Sequence, residues 1–144
     1  MEESTAVRDA MRRFYDRLSA SDVSVFDEIV SRHPATLVIG TAPGEWVRER
    51  DRLRFGFETE GFALEPGNTA GYEEGTVGWV TDDPTFVFPD GSRMHTRLTA
   101  VFLKEDGNWK LVHMHASVGV PDEEVVELQK RWAGEGHEEA TPGG

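Results

Sequence analysis

Three of the five histidines lie in two stretches near the C-terminal end, residues 93–104 and 108–119, in which polar and apolar residues alternate. Such alternation is typical of half-buried strands, and the Glu-Asp-Gly sequence between the stretches predicts a hairpin turn. The polar residues of each strand are spaced two apart and therefore share one face. This set comprises His95, Arg97, Thr99, His113, His115 and Ser117.

Imidazoles two residues apart on a strand share one face and have the spacing of a metal site, with His95 as a third ligand. Arg97 would lie between them, and no carboxylate of these strands shares the face, so we predict no metal and no cofactor. Two uses stay open. His95 or His113 acts as a general acid or base on a substrate, or the histidines form a subunit contact.

The face assignment depends on the turn. A three-residue loop, with Gly107 in the left-handed conformation, places Lys104 opposite Asn108. Trp109 and Leu111 then join the histidine face, whereas the opposite face is oily. The oily set is Phe86, Phe88, Met94, Leu98, Ala100, Met114, Ala116 and Val118.

Helical patterns precede the strands, which indicates an α+β domain with helices packed on one face of a sheet. A first helix buries Val7, Met11 and Phe14 and carries Tyr15 beside them. A later helix is expected from Glu45, with Trp46, Leu53 and Phe57 inward. Small residues beside large ones on the oily face are compatible with a cavity and equally with tight packing.

The chain has 144 residues, no cysteine and a net charge of -12. This length predicts one domain over residues 1–133, and the Gly- and Glu-rich residues 134–144 are expected to be a disordered acidic tail. The negative charge disfavours nucleic acid and anionic membranes, and no apolar run is long enough to span a bilayer. We therefore expect a cytoplasmic protein with no nucleic-acid or membrane partner.

The run W-K-L-V-H-M-H-A-S-V-G-V-P at residues 109–121, together with Gly40-Thr41 and Pro89-Asp90-Gly91, resembles the SnoaL-like branch of the nuclear-transport-factor-two superfamily. The ending is also similar to the association domain of calcium/calmodulin-dependent kinase. The resemblance covers residues 4–132. It implies a cone: N-terminal helices packed on a strongly curved mixed or antiparallel sheet, open at one end and dimerising through its outer face.

In that family the cone interior hosts ligands, and its enzymes carry acids or histidines there. In this chain the last strand offers Met114 and Ala116 instead. The leading hypothesis is a homodimer that binds a small apolar molecule. Its expected contacts are Trp46, Phe57, Trp79, Phe86, Phe88, Leu98 and Met114.

Two alternatives remain. One is an isomerase, cyclase or dehydratase that uses Tyr15, His95 or His113 in the same cavity. The other is a homodimerisation module without a ligand. Under the leading hypothesis the polar set from His95 to Ser117 lies on the dimer face.

Overall fold

The computed structural model describes residues 1–134. Of the predicted tail at 134–144, Gly134 belongs to the last helix, and residues 135–144 lie outside the described residues. The elements in chain order are β1 (Glu2–Glu3), α1 (Thr5–Ser19), α2 (Val25–Glu28), β2 (Leu37–Ile39), β3 (Trp46–Val47), α3 (Arg50–Glu60), β4 (Ala63–Glu65), β5 (Ala70–Glu74), β6 (Val77–Asp82), β7 (Thr85–Val87), β8 (Arg93–His95), β9 (Arg97–Glu105), β10 (Asn108–Ser117) and α4 (Asp122–Gly134). The predicted α+β class is confirmed.

Seven strands form a mixed sheet in the order β1-β5-β6-β9-β10-β2-β3, and β4, β7 and β8 form a second sheet. The β2–β10 pair is parallel and its neighbours are antiparallel. Helix α1 begins at the Ser4 cap, whose hydroxyl accepts the N–H of Val7, and lays its apolar face on the inner side of the large sheet. The core therefore lies between α1 and β6, β9 and β10.

Two glycines bring α1 onto the sheet. A Cβ added at Gly71 would lie 2.6 Å from the backbone nitrogen of Arg8, and one at Gly78 would lie 2.7 Å from Val7. The inner face at these positions has no room for a side chain. Because strand residues alternate, Trp79 must point outward, where it stacks on Tyr72 at 5.6 Å. The expectation of an inward Trp79 is therefore wrong.

The helix expected from Glu45 begins five residues later, at Arg50. Residues 46–47 form the edge strand β3, in which Val47 pairs with Val38 and Trp46 pairs with Ile39. Trp46 consequently stays 55% exposed instead of facing the core. The β-branched Val47 and the Pro43-Gly44 turn favour a short hairpin over a helix here.

The loop between β9 and β10 also differs from the prediction. Asp106 and Gly107 have φ values of 51° and 80°, and Glu105 pairs with Asn108, so the loop has two residues. A two-residue hairpin turn in which both central residues have positive φ favours the sequence Asp-Gly. A bulge at Val112 then shifts the register once more.

These two shifts explain which side chains changed face. Before the bulge the register differs by one residue from the prediction, so Trp109 and Leu111 turn inward and are 9% and 1% exposed. After the bulge it differs by two, which restores the predicted parity. His113 and His115 therefore lie on the outer face, and Met114 and Ala116 lie on the inner one.

Candidate functional site

A partly open cavity of about 280 Å³ lies between α3 and the inner faces of β2, β8 and β10. Helix α3 forms one wall, and the β2–β3 loop forms part of the rim. The apolar lining residues are Val38, Ile39, Ala42, Val47, Leu53, Phe57, Phe62, Phe86, Phe88, Met94, Met114 and Ala116. The cavity is thus bounded mainly by aromatic, methionine and aliphatic side chains.

A connected group of phenylalanines forms the aromatic wall. Phe62 lies 4.8 Å from Phe57, stacks on Phe86 at 4.9 Å and approaches Phe88 at 6.2 Å, between ring centroids. Phe57 in turn contacts Phe26 of the buried core at 5.4 Å. Since offset aromatic pairs favour fixed geometries, this wall is anchored to the core.

Three charged side chains line the cavity: Glu45, Arg52 and Glu60. All three are exposed, which places their charges at the rim. Glu45 accepts the backbone N–H of Ala42 at 2.6 Å, which folds its carboxylate onto its own loop. Arg50 and Arg54 of α3 both approach Asp27, whereas no ion pair joins Arg52 to another residue within 1–134.

The sequence anticipated part of this lining. Phe57, Phe86, Phe88 and Met114 do line the cavity. Leu98 is 2% exposed and belongs to the packed core, so it does not reach the cavity. Trp46 and Trp79 lie outside it, because Trp46 belongs to the edge strand β3 and Trp79 points to the outer face of the sheet.

Phe62, Arg52 and Glu45 were missed as cavity residues. Phe62 follows Gly61, whose φ of 61° ends α3. That glycine and the alternation of Phe62 with Leu64 signal a strand entering beside the helix end. Arg52 and Glu45 carry no such signal in the sequence, because only the packing of α3 against the β2–β3 loop brings them to one opening.

Tyr15 does not line the cavity. Its hydroxyl donates to Asp82 Oδ2 at 2.8 Å, and both side chains are buried. Asp82 also accepts from the Thr69 hydroxyl and from the backbone N–H groups of Gly67 and Asp83. Burial, and after it the charge of Asp82, raises the pKa of Tyr15 above its ordinary value. This hydrogen-bond network fixes the end of β6 at Asp82. The phenol proton of Tyr15 is donated to Asp82.

None of the three histidine candidates lines the cavity, and they do not all share one site. His95 belongs to β8 of the small sheet, pairs with Thr85 and approaches Asp83 at 3.8 Å. It therefore does not oppose Ser117, which pairs with Arg97. This corrects the placement of His95 in the polar set, because β8 and β9 belong to different sheets.

His113 is half-buried and His115 is exposed on the outer face of β10. Burial is the main cause that lowers the pKa of His113, the charge of His115 lowers it further, and a hydrogen bond with the Leu37 backbone opposes both. Within residues 1–134, no three His, Asp or Glu side chains come close enough together to hold a metal ion. Nor is any helix of this part of the chain long and apolar enough to cross a membrane.

Several solved structures share the fold. An NTF2-like protein of unknown function from Pseudomonas putida is 13% identical, with 85% of this chain and 94% of that chain covered and a TM-score of 0.69. An uncharacterised protein with a cystatin-like fold from Caulobacter vibrioides is 20% identical, with 88% and 96% covered and a TM-score of 0.66. The CaMKII hub of S. rosetta is 17% identical, with 83% and 100% covered and a TM-score of 0.66.

No functionally curated protein matches the sequence. At these identities the solved structures establish the shared fold and no shared activity. The model of the SnoaL-like domain family, by contrast, matches residues 7–121, which is most of the chain. The chain therefore belongs to the SnoaL-like domain family.

Proposed function

We propose that this protein binds a small, mainly apolar molecule in the cavity beneath α3. The observation that carries the proposal is the lining, in which twelve apolar residues accompany three charged groups at the rim. Moving an apolar molecule from water into such a cavity is favourable by roughly 25 cal/mol per Å² of apolar surface removed from water. Apolar walls with a few polar groups at one end are the usual form of a small-molecule site.

The size of the cavity limits the ligand. Its volume of about 280 Å³ is close to the lower end of the usual range of about 300–1,000 Å³ for ligand pockets. An engineered apolar cavity of about 150 Å³ already accommodates benzene. A ligand of one or two rings, or a short branched chain, suits this space.

Binding without catalysis is favoured over the isomerase, cyclase or dehydratase alternative. Catalysis by an acid or base requires the group to reach the substrate, at about 2.6–3.2 Å or through one water. Tyr15 is bonded to Asp82 outside the cavity lining, and His95 and His113 lie on other surfaces. The residues that do line the cavity interior have no titratable groups.

The test is native mass spectrometry of the purified protein, followed by the Ala116→Leu variant. Ala116 is 4% exposed and lines the cavity, so a leucine there fills part of the ligand space. We expect a co-purifying small molecule on the wild-type protein and its loss from the variant. Ser117→Leu, on the outer face of the same strand, is the matched control and should keep the molecule.

Near-ultraviolet circular dichroism checks that both variants are folded. Wild-type protein that carries no molecule, and whose melting temperature is unchanged by a panel of one- and two-ring apolar compounds, would contradict the proposal. A molecule retained equally by both variants would place binding elsewhere on the protein.

We also propose that two copies associate through the outer face of the large sheet. The support is the apolar surface there: Tyr72, Trp79 and Val101 are half-buried, and Val77 is 40% exposed. Arg97, Thr99, His113, His115 and Ser117 share this face, and the Arg97 guanidinium donates to the Ser117 hydroxyl at 3.3 Å. Apolar patches of this kind mark protein interfaces more often than isolated exposed residues do.

Sedimentation equilibrium of Trp79→Glu tests the dimer. A charge buried without a partner between two sheets costs several kcal/mol, so we expect the variant to sediment as a monomer. Phe55→Glu is the control, because Phe55 is 68% exposed on α3, away from the sheet. Wild-type protein that is monomeric at micromolar concentration would refute the dimer. A cytoplasmic location and a domain limit at residue 133 are likewise proposals.

A further inference from the structure

Gly56 occupies an interior position of α3, six residues after its start. Glycine in the middle of a helix is unfavourable relative to alanine, because glycine loses more backbone conformational entropy when the chain folds. The backbone of Gly56 does not have the positive φ that would require glycine. Local conformation therefore gives no reason for a glycine here.

Packing gives no reason either. A Cβ added at Gly56 meets no atom within 4 Å. At Gly71 and Gly78 the same addition would overlap α1, so those glycines serve the fold. Gly56 differs from both because the space beside it is open.

That open space belongs to the cavity. Gly56 is half-buried and lines the cavity. Leu53 and Phe57 of the same helix also line it. Arg52 and Glu60 also line it, four residues before and four residues after Gly56. Since residues four apart are neighbours on a helix surface, the open space over Gly56 lies between the Arg52 guanidinium and the Glu60 carboxylate. We call this space the slot.

We propose that Gly56 is a specificity-determining residue, whose missing side chain leaves this slot free for the polar end of the ligand. The inference rests on the proposed binding function and narrows its ligand class. The ligand has an apolar body against the phenylalanines and methionines and one polar end that reaches α3. The helix gives up stability at Gly56 in favour of ligand space, a common trade-off at functional sites.

The experiment uses naphthalene-1-sulfonate, an apolar two-ring probe with one anionic end, and measures its affinity by isothermal titration calorimetry. Gly56→Ala and Gly56→Leu are compared with Thr59→Ala and Thr59→Leu. Thr59 is exposed on the same helix and does not line the cavity, so the same side chains are added outside the slot.

We expect Gly56→Ala to raise the melting temperature by about 2–4 °C, as Thr59→Ala should by a similar or smaller amount, since both improve helix propensity. We expect probe affinity to fall about threefold in Gly56→Ala and more than tenfold in Gly56→Leu, and to stay within twofold of wild type in the Thr59 variants.

Two results with the variants would overturn the inference. A Gly56→Leu variant that binds the probe as well as Thr59→Leu does would show that the slot is not used. A lower melting temperature for Gly56→Ala would show that the glycine serves the fold. Wild-type protein that binds neither this probe nor any compound of the apolar panel would instead refute the proposed function of the cavity, and the inference with it. Binding of panel compounds without binding of the probe would overturn the inference alone.

Discussion

Two hairpins of this protein contain the same Asp-Gly pair and form different turns. In the β7–β8 hairpin, Phe88 donates its N–H to the Ser92 carbonyl, and Gly91 has a φ of 88°, which makes a three-residue loop of Pro89, Asp90 and Gly91. In the β9–β10 hairpin, Asp106 also has a positive φ, and the loop contains two residues.

The residue before the Asp-Gly pair accounts for the difference. Proline holds φ near −65°, which suits the first position of a type I turn and cannot pair in a strand ladder. Glu105 has a free N–H and joins the ladder opposite Asn108. One residue of loop length decides which side chains of the following strand face the core, so turn chemistry controls which side chains can reach the cavity.

Insertion of one alanine between His113 and Met114 should have the largest effect. The added residue reverses the alternation beyond the bulge, so Met114 and Ala116 turn outward and His115 turns inward. We expect a loss of more than about 4 kcal/mol in the free energy of unfolding, which leaves little folded protein. Expression in soluble form and circular dichroism measure it. An insertion variant that folds cooperatively with wild-type stability would mean that the register beyond the bulge does not fix the face assignment.

Leu111→Ala should cost about 2–5 kcal/mol in the free energy of unfolding, because Leu111 is 1% exposed and its loss leaves a cavity in the core. Urea denaturation provides the measurement. Leu103→Ala is the matched control on the half-buried outer face of β9, and at low protein concentration we expect it to cost about 1 kcal/mol or less. Equal losses would contradict the two-residue turn.

Pro89→Glu gives the β7–β8 loop the same Glu-Asp-Gly sequence as the β9–β10 loop. We expect a loss of about 0.4–1 kcal/mol in the free energy of unfolding if the loop keeps three residues, since proline restricts the unfolded chain at a position whose native conformation it fits. The loss should be larger if the loop shortens to two residues, because the register of β8 then shifts by one. Thermal denaturation gives the magnitude, and hydrogen exchange of the Phe88 amide reports the loop length. Full protection of that amide in the variant would show that proline is not what selects the three-residue loop.

The smallest effect concerns His113, which the bulge leaves half-buried on the outer face. Its folded pKa lies below the ordinary value, so the unfolded chain takes up the proton more readily. The stability from the neutral histidine is complete above about pH 6.5 and is lost as the pH falls from there toward the folded pKa. In melting temperatures compared at pH 7.5 and pH 5, we expect the decrease to be smaller in His113→Asn than in wild type.

The control for this comparison is His115→Asn. It should keep most of the wild-type decrease, because burial outweighs the charge of His115 in lowering the pKa of His113. A His113→Asn variant with an unchanged pH dependence would assign the acid sensitivity to other groups.

The sequence alone determined the class of the fold. Helical periodicity in residues 5–19, alternation in the last two strands and their separation along the chain predict helices packed on a sheet, and the structure has them. It also determined that Met114 and Ala116 face inward. That assignment survived two compensating one-residue shifts, because strand faces depend only on the parity of the register.

The face of Trp79, the strand at Trp46 and the composition of the cavity rim depend on contacts between distant parts of the chain. Trp79 points outward because α1 occupies the space beside Gly78, and this contact joins segments about seventy residues apart. Arg52, Gly56 and Glu45 meet at one opening because α3 packs beside the β2–β3 loop. Local patterns report period and turn preference, whereas such contacts depend on how distant elements share a limited volume.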